Sequence, residues 1–173
     1  MRTVVVAGNP KPASRTLDAA TLVASAITGS PPDAVVDVIT LGAGLLGWGD
    51  EGVAEAVRIV READLVIVAS PTFKATYTGV LKLFLDQFPT GDGLRDVVVV
   101  PLMLGAGPAH AMAPDLLLKP VLVELGAITP APGLYLGDST YTTDDRITAY
   151  AERWAPVLRA AATAQRAQTE ART

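Results

Sequence analysis

A short stretch near the start of the chain brings together several groups that bind anions. Gly8 and Asn9 are followed by Ser14, Arg15 and Thr16, between a predicted strand and the start of a predicted helix. The first N–H groups of a helix carry partial positive charge, and the hydroxyls and the guanidinium supply further donors. The stretch lacks spaced glycines and a Gly-Lys-Ser/Thr ending, so a monophosphate suits it better than a dinucleotide or a triphosphate. On these residues alone, Ser14 as a plain helix N-cap with Arg15 in solvent remains the other interpretation.

A second stretch, residues 69–79, follows a buried apolar run and has an unusual composition for a plain turn. Pro71, Thr72, Phe73 and Lys74 lie within it. Main-chain amides held by a proline can bond the polar edge of a flat heterocycle, while Phe73 and Tyr77 offer planar apolar surface. The alternative is that both rings pack in the core or at a subunit contact and that Lys74 faces solvent.

A third stretch contains Gly105, Ala106 and Gly107 and follows the next apolar run along the chain. The two glycines let the backbone approach a ligand closely, because they carry no side chains. An ordinary glycine-rich connection between a strand and a helix is the alternative. His110 ends the stretch, and we interpret it as a helix-start residue rather than a catalyst.

The residue inventory argues against several kinds of catalysis. The chain has no cysteine and one histidine. Disulfides, thiolate nucleophiles and cysteine-based metal sites are therefore excluded, and catalytic triads and zinc chemistry are disfavoured.

Five apolar runs alternate with five segments of helical periodicity, which predicts an α/β domain with a parallel sheet. The predicted strands are Arg2–Ala7, Ala34–Ile39, Leu65–Ala69, Asp96–Pro101 and Thr129–Leu136. The predicted helices are Arg15–Ile27, Glu51–Glu62, Tyr77–Phe88, Met112–Leu125 and Asp144–Arg159. Leu41–Asp50 carries four glycines and is expected to be a mobile connection without a regular element. Ligands of such sheets bind outside the carboxyl ends of the strands, where the three stretches fall.

Composition limits the partners and the domain count. The chain has 173 residues, of which 50% are hydrophobic and 18% charged. This fits a single domain over residues 1–173, with a mobile helical tail from 159 to 173. The net charge of −4 and the lack of a basic tract argue against nucleic acid as a partner. The first residues are interpreted as a buried strand rather than a signal peptide, and no apolar run reaches membrane-spanning length, so we expect a cytoplasmic protein.

Together these stretches resemble the NADPH-dependent FMN reductase family, in particular the small reductases that supply reduced flavin to sulfonate-degrading monooxygenases. The resemblance covers nearly the whole chain. It is carried by residues 8–10 (GNP) with 14–16 (SRT), by 71–82 (PTFKATYTGVLK), by 105–110 (GAGPAH), and by 115–126 around 119–122 (KPVL).

The resemblance implies a flavodoxin-like three-layer sandwich with a five-stranded parallel sheet in the order 2-1-3-4-5. It also implies FMN as cofactor and NADPH or NADH as hydride donor. The implied cofactor-binding residues are Asn9, Ser14, Arg15 and Thr16 at the phosphate, Pro71, Thr72, Phe73 and Lys74 at the isoalloxazine, and Gly105, Ala106 and Gly107 at its far side. Hydride passes from the nicotinamide directly to the flavin, so no catalytic side chain is expected.

The same resemblance implies a homodimer or homotetramer, with a flavin-dependent monooxygenase as candidate partner. Leu116, with Met112 and Leu117, makes the fourth predicted helix apolar beyond one stripe and is expected near a subunit contact. Two alternatives stay open: an enzyme of the same fold that keeps its FMN and reduces quinones, azo dyes or chromate, and a flavodoxin-like electron carrier. Two prolines in the first stretch and a net charge of only −4 argue against the carrier.

Overall fold

The computed structural model describes residues 1–171, in which five parallel strands form one sheet. The strands are β1 (Thr3–Ala7), β2 (Ala34–Asp37), β3 (Leu65–Pro71), β4 (Val98–Gly105) and β5 (Leu134–Gly137). The α-helices are α1 (Arg15–Thr28), α2 (Glu51–Arg61), α3 (Gly79–Leu85), α4 (Lys119–Glu124) and α5 (Arg146–Glu170). The sheet order β2-β1-β3-β4-β5 confirms the predicted flavodoxin-like fold.

The sheet is buried on both faces, which is why its strands are nearly continuous apolar runs. In β1, Val4 and Val6 point into one core and Val5 into the other. Helices α1 and α5 cover the face of Val5, and the alanines at 19, 20 and 24 allow α1 to lie close to the strands. Helices α2, α3 and α4 cover the opposite face. These two cores hold the carboxyl ends of the strands in register.

Prolines account for two differences from the predicted elements. The fourth predicted helix, Met112–Leu125, contains a π-helical turn over Pro114–Leu118 before α4. Pro120 has no N–H and its ring crowds the carbonyl of Leu116, so the regular i→i−4 pattern cannot continue there. The fifth predicted strand began at Thr129, but β5 begins only at Leu134. The prolines at 130 and 132 cannot donate to a sheet ladder.

Other boundaries also shifted. Two short 3₁₀ turns lie within Val38–Leu46 on either side of a kink at Gly42, and they extend into the glycine-rich segment predicted to lack a regular element. Helix α3 begins at Gly79 rather than Tyr77, because Thr78 caps it. Helix α5 runs through residue 159 to Glu170, so the tail predicted from residue 159 onward is helical that far, and residues 172–173 of that prediction lie outside the described residues. Within residues 1–171 no helix combines the length and the apolar character needed to cross a membrane.

Candidate functional site

The carboxyl ends of the strands form the candidate site, because all five strands are parallel and end at the same edge. The chain passes from β1 outward to β2 and then back across to β3 on the other side of β1. Such a reversal of strand order opens a crevice at the sheet edge. The segments after β1, β3 and β4 are the three stretches singled out in the sequence. The segment after β5 lies at the same edge of the sheet.

The first of these segments, residues 8–14, is held in one conformation by side-chain hydrogen bonds. Asn9 accepts a bond from the Lys11 N–H (2.9 Å) and donates one to Thr16 Oγ1 (2.9 Å). Ser14 caps α1 by accepting from the Leu17 N–H (3.3 Å). Ser14 and Thr16 are buried, and each hydroxyl keeps its own proton for donation. The loop is therefore preorganised before any ligand arrives.

Two main-chain donors face outward at the start of α1. The N–H groups of Arg15 and Thr16 belong to the first helical turn, where no carbonyl within the helix can accept them. The positive end of the helix dipole adds to their field. This loop end therefore has the geometry of an anion site.

The Arg15 side chain does not extend freely into solvent. Its Nη1 donates to the main-chain carbonyl of Asp138 (2.9 Å), and its Nη2 lies 3.5 Å from the Asp138 carboxylate. Asp138 follows β5 directly. A second bond joins the same two regions, from the Tyr141 hydroxyl to the Asp18 carboxylate (2.9 Å). Burial of the ring, then this bond, raise the pKa of Tyr141, so its hydroxyl remains the donor.

Asp37, at the end of β2, also contacts the first loop. Its Oδ2 accepts a bond from the Ala13 N–H (2.8 Å), and Ala13 has a φ of 49°. A left-handed backbone is unfavourable for alanine, so this bond helps to hold it. Asp37 Oδ1 is buried and has no hydrogen-bond partner among residues 1–171.

The second segment contains a tight hairpin. Phe73 and Thr76 pair through two main-chain bonds of 2.9 and 3.2 Å. Lys74 and Ala75, between them, have φ values of 52° and 71°. Positive φ at two successive residues fits a two-residue hairpin turn but strains side chains that are not glycine. Phe73 is half exposed, whereas Tyr77 packs partly buried against the core.

Thr78 joins the first and second segments. Its hydroxyl donates to the Gly8 carbonyl (2.6 Å) and accepts from the Leu81 N–H (3.1 Å) as the N-cap of α3. Its own N–H bonds to Ser70 Oγ (3.0 Å). One buried threonine therefore fixes the β1 loop, the end of β3 and the start of α3 relative to each other.

The third segment borders a cavity of about 550 Å³. Its lining comprises Thr72, Gly105, Ala106, Gly107, Pro108, Ala109 and His110. Gly105 ends β4 and is enclosed there, since a side chain would collide with the hydroxyl of Tyr135. That hydroxyl donates to the Gly107 carbonyl (2.8 Å) and so positions the loop.

The predicted site residues thus fall into three neighbouring groups at one sheet edge. Asn9, Ser14, Arg15 and Thr16 form the first loop, Phe73 and Lys74 belong to the hairpin, and the remaining residues lie on or beside the 550 Å³ cavity. Pro71 is the last residue of β3. A larger cavity of about 650 Å³ lies along α2, beside Trp48, Arg58 and Gln87, and includes none of the predicted residues.

A family model covers most of the chain. The family model described as NADPH-dependent FMN reductase matches residues 1–141. The chain belongs to this family. The matched residues include all five strands and Asp138, so every loop at the carboxyl edge lies within the family's own region.

Two curated relatives match this chain over less than half of their own length. FMN reductase (NADPH) of Escherichia coli K12 is 44% identical over 80 residues, covering 46% of this chain and 41% of that protein. FMN reductase (NADPH) of Pseudomonas putida KT2440 is 37% identical over 99 residues, covering 57% of this chain and 46% of that protein. The matched part spans about half the length of these relatives.

Solved structures show the same fold. The apo form of an NADH:FMN oxidoreductase (EMOB) superposes with a TM-score of 0.80 at 30% identity, covering 91% of this chain and 88% of that one. An oxidoreductase from Corynebacterium diphtheriae has a TM-score of 0.73 at 22% identity, covering 94% and 96%. The second similarity concerns the fold alone.

Proposed function

We propose that this protein reduces FMN with NADPH or NADH. The observation that carries the proposal is the position of a preorganised anion loop and a cavity of about 550 Å³ at one edge of the sheet, in a chain of the FMN reductase family. The cavity is within the roughly 300–1,000 Å³ typical of small-molecule sites.

The residues present fit a flavin mononucleotide. Buried polar atoms are normally hydrogen-bonded, so an unpaired one suggests a missing ligand or water. Among residues 1–171, Thr72 Oγ1 is a buried side-chain oxygen without a partner, and Thr72 lines the candidate cavity. No atom of the described residues outside 106–108 lies within 4 Å of the place where a side chain at Gly107 would begin. This side of the cavity therefore has room for a planar ring.

Each group of residues has a role in this proposal. The N–H groups of Arg15 and Thr16, the hydroxyl of Ser14 and the guanidinium of Arg15 bind the phosphate. Thr72 and the main chain of residues 105–107 bind the isoalloxazine, with Phe73 at its rim. Bound FMN supplies the redox chemistry by accepting hydride from a nicotinamide. The protein contributes orientation and exclusion of water.

Phosphate recognition makes FMN and riboflavin distinguishable in a fluorescence titration. We expect wild-type protein to bind FMN far more tightly than riboflavin. A hydrogen bond to a charged group is worth about 1.5–3 kcal/mol, so Arg15→Ala is expected to weaken FMN binding about ten- to a hundredfold. Riboflavin binding is expected to stay nearly constant.

Arg95→Ala is the matched control, since Arg95 is an exposed arginine paired to Asp92 on the loop that enters β4. It is expected to leave both affinities unchanged. Equal affinities of the wild-type protein for FMN and riboflavin would contradict the phosphate site.

The electron acceptor is part of the same proposal. We expect a colourless purified protein whose NAD(P)H consumption depends on added FMN, as suits a cytoplasmic enzyme that supplies reduced flavin to a monooxygenase. SfnE of Pseudomonas putida, a relative 32% identical over 85 residues, is named an NADH-dependent FMN reductase. A yellow protein whose NAD(P)H consumption does not depend on added FMN would instead indicate a reductase that retains its flavin.

Self-association completes the proposal. Met112, Leu116 and Val123 are more than half exposed on the π turn and α4 or just before them. Such an apolar patch is typical of a contact between subunits. We therefore assign this face to a homodimer or homotetramer interface.

A further inference from the structure

The guanidinium of Arg15 already has a partner within the protein. Both of its contacts are with Asp138, one to the main-chain carbonyl and one to the carboxylate. The pair lies at the rim of the site, where the Arg15 side chain is 63% exposed and that of Asp138 is 34% exposed. A phosphate in the first loop must therefore compete with the Asp138 carboxylate for this cation.

Asp138 occupies a fixed place between two parts of the site. Its N–H donates to the Gly105 carbonyl (3.0 Å), which extends the pairing of β4 with β5 by one bond. Its own carbonyl accepts from Arg15. The segment after β5 thus connects the loop that borders the cavity with the loop that would hold the phosphate.

The first loop is surrounded by more negative than positive charge. Its cations are Lys11 and Arg15, while Asp18, Asp37 and Asp138 all lie in or against it. Asp37 also occupies the Ala13 N–H, which is therefore unavailable to an anion. Such an arrangement attenuates the attraction of the helix N-terminus for a phosphate.

We propose that Asp138 is a positioning residue that holds Arg15 at the rim and limits the affinity of the site for the FMN phosphate. This inference rests on the proposed function and deepens it. The main-chain carbonyl keeps the guanidinium near the loop, and the carboxylate partly neutralises it. FMN then exchanges readily, as a substrate must, instead of remaining bound between turnovers.

Asp138→Asn tests the inference, because it removes the charge and retains the main-chain contact. Exposed ion pairs are worth about 0.2–1 kcal/mol, so FMN is expected to bind about 1.4- to fivefold more tightly by fluorescence titration. Riboflavin affinity is expected to stay constant. In steady-state assays the KM for FMN is expected to fall without a rise in kcat. Asp92→Asn, an exposed aspartate paired to Arg95 away from the site, is the control for net charge and is expected to change none of these values.

A double-mutant cycle separates action through Arg15 from a general effect of charge. In the Arg15→Ala background, Asp138→Asn is expected to raise FMN affinity much less than it does in the wild-type protein. The inference is overturned if Asp138→Asn leaves FMN affinity unchanged or raises riboflavin affinity equally. It is also overturned if Asp138→Asn raises FMN affinity by the full amount in the Arg15→Ala background. Failure of the proposed function gives a different result, namely a wild-type protein that does not prefer FMN to riboflavin.

Discussion

Phe73 is the large apolar side chain that the hairpin after β3 presents at the rim of the site. It is 51% exposed, and the strained pair Lys74–Ala75 follows it. Strained backbone that persists at a candidate site suggests a constraint from ligand binding. A buried core phenylalanine would show neither this exposure nor this strain, so we infer that Phe73 lies at the rim of the proposed flavin pocket.

Replacement of Phe73 separates ring positioning from core packing. Because half of the side chain is exposed, Phe73→Ala is expected to lower the free energy of unfolding far less than the roughly 3–5 kcal/mol lost with a fully buried phenylalanine. The rate of FMN reduction is expected to fall severalfold. Thermal unfolding and stopped-flow flavin reduction check the two parts.

Val157→Ala provides the comparison for Phe73, since Val157 is a similarly exposed apolar residue on α5. It is expected to leave reduction unchanged. A collapsed melting temperature with normal reduction by the folded fraction of Phe73→Ala would show that Phe73 is a packing residue.

Some residues of the site could not be predicted from the sequence. Ser14, Arg15 and Thr16 stand out because their types and spacing mark a helix start beside a glycine. Asp138 contacts Arg15 across 123 positions of sequence, and no local pattern encodes that pairing. The rule that ligands bind at the carboxyl ends of strands singles out the segments after the first, third and fourth predicted strands, and the segment after the fifth was not among the predicted site segments.

At the scale of elements, Thr78 determines how two of the site loops are joined. It caps α3 and also binds the Gly8 carbonyl, while Gly8 packs against Leu81 so closely that no side chain would fit there. Helix α3 has only seven residues. Such a short helix depends on its cap and on packing rather than on intrinsic propensity.

Thr78→Val is expected to destabilise the protein while preserving side-chain volume. Loss of an N-cap costs about 0.5–2 kcal/mol, and an unpaired buried carbonyl adds about 1–3 kcal/mol. Thr78→Ser keeps both hydrogen bonds and is expected to lose less stability. Urea denaturation measures the loss in free energy of unfolding for each variant. Equal losses for Thr78→Val and Thr78→Ser would contradict this expectation.

The elements themselves were more predictable than their ends. All five strands and five α-helices were recognised, because buried parallel strands are apolar throughout and α1 and α2 have clear helical periodicity. The proline-containing segments were not placed accurately. Missing proline N–H groups account for both the π turn before Pro120 and the late start of β5. How the chain adjusts to a missing N–H depends on tertiary contacts, which a local sequence pattern does not contain.

At the scale of the whole molecule, the two cores enclose the sheet but leave several apolar side chains of residues 112–123 uncovered. Leu116 is 64% exposed and Met112 60%. Burial of apolar surface stabilises association by about 25 cal/mol per Å², so several such side chains favour a stable contact between copies.

Leu116→Asp is expected to dissociate the oligomer, because a carboxylate would be buried in an apolar contact without a partner. Light scattering at micromolar concentration is expected to give an oligomer for the wild-type protein and a smaller species for the variant. Val157→Asp, at an exposed position on α5, is expected to remain oligomeric. A monomeric wild-type protein would refute the assignment of this face.

Anaerobic reduction of free FMN by NADPH or NADH decides whether this protein is an FMN reductase. The visible absorbance of FMN is followed after mixing with either nicotinamide nucleotide, with and without catalytic amounts of the protein. We expect rapid bleaching that saturates with FMN concentration in the presence of the protein. Bleaching no faster than in the protein-free mixture, with both nucleotides, would contradict it.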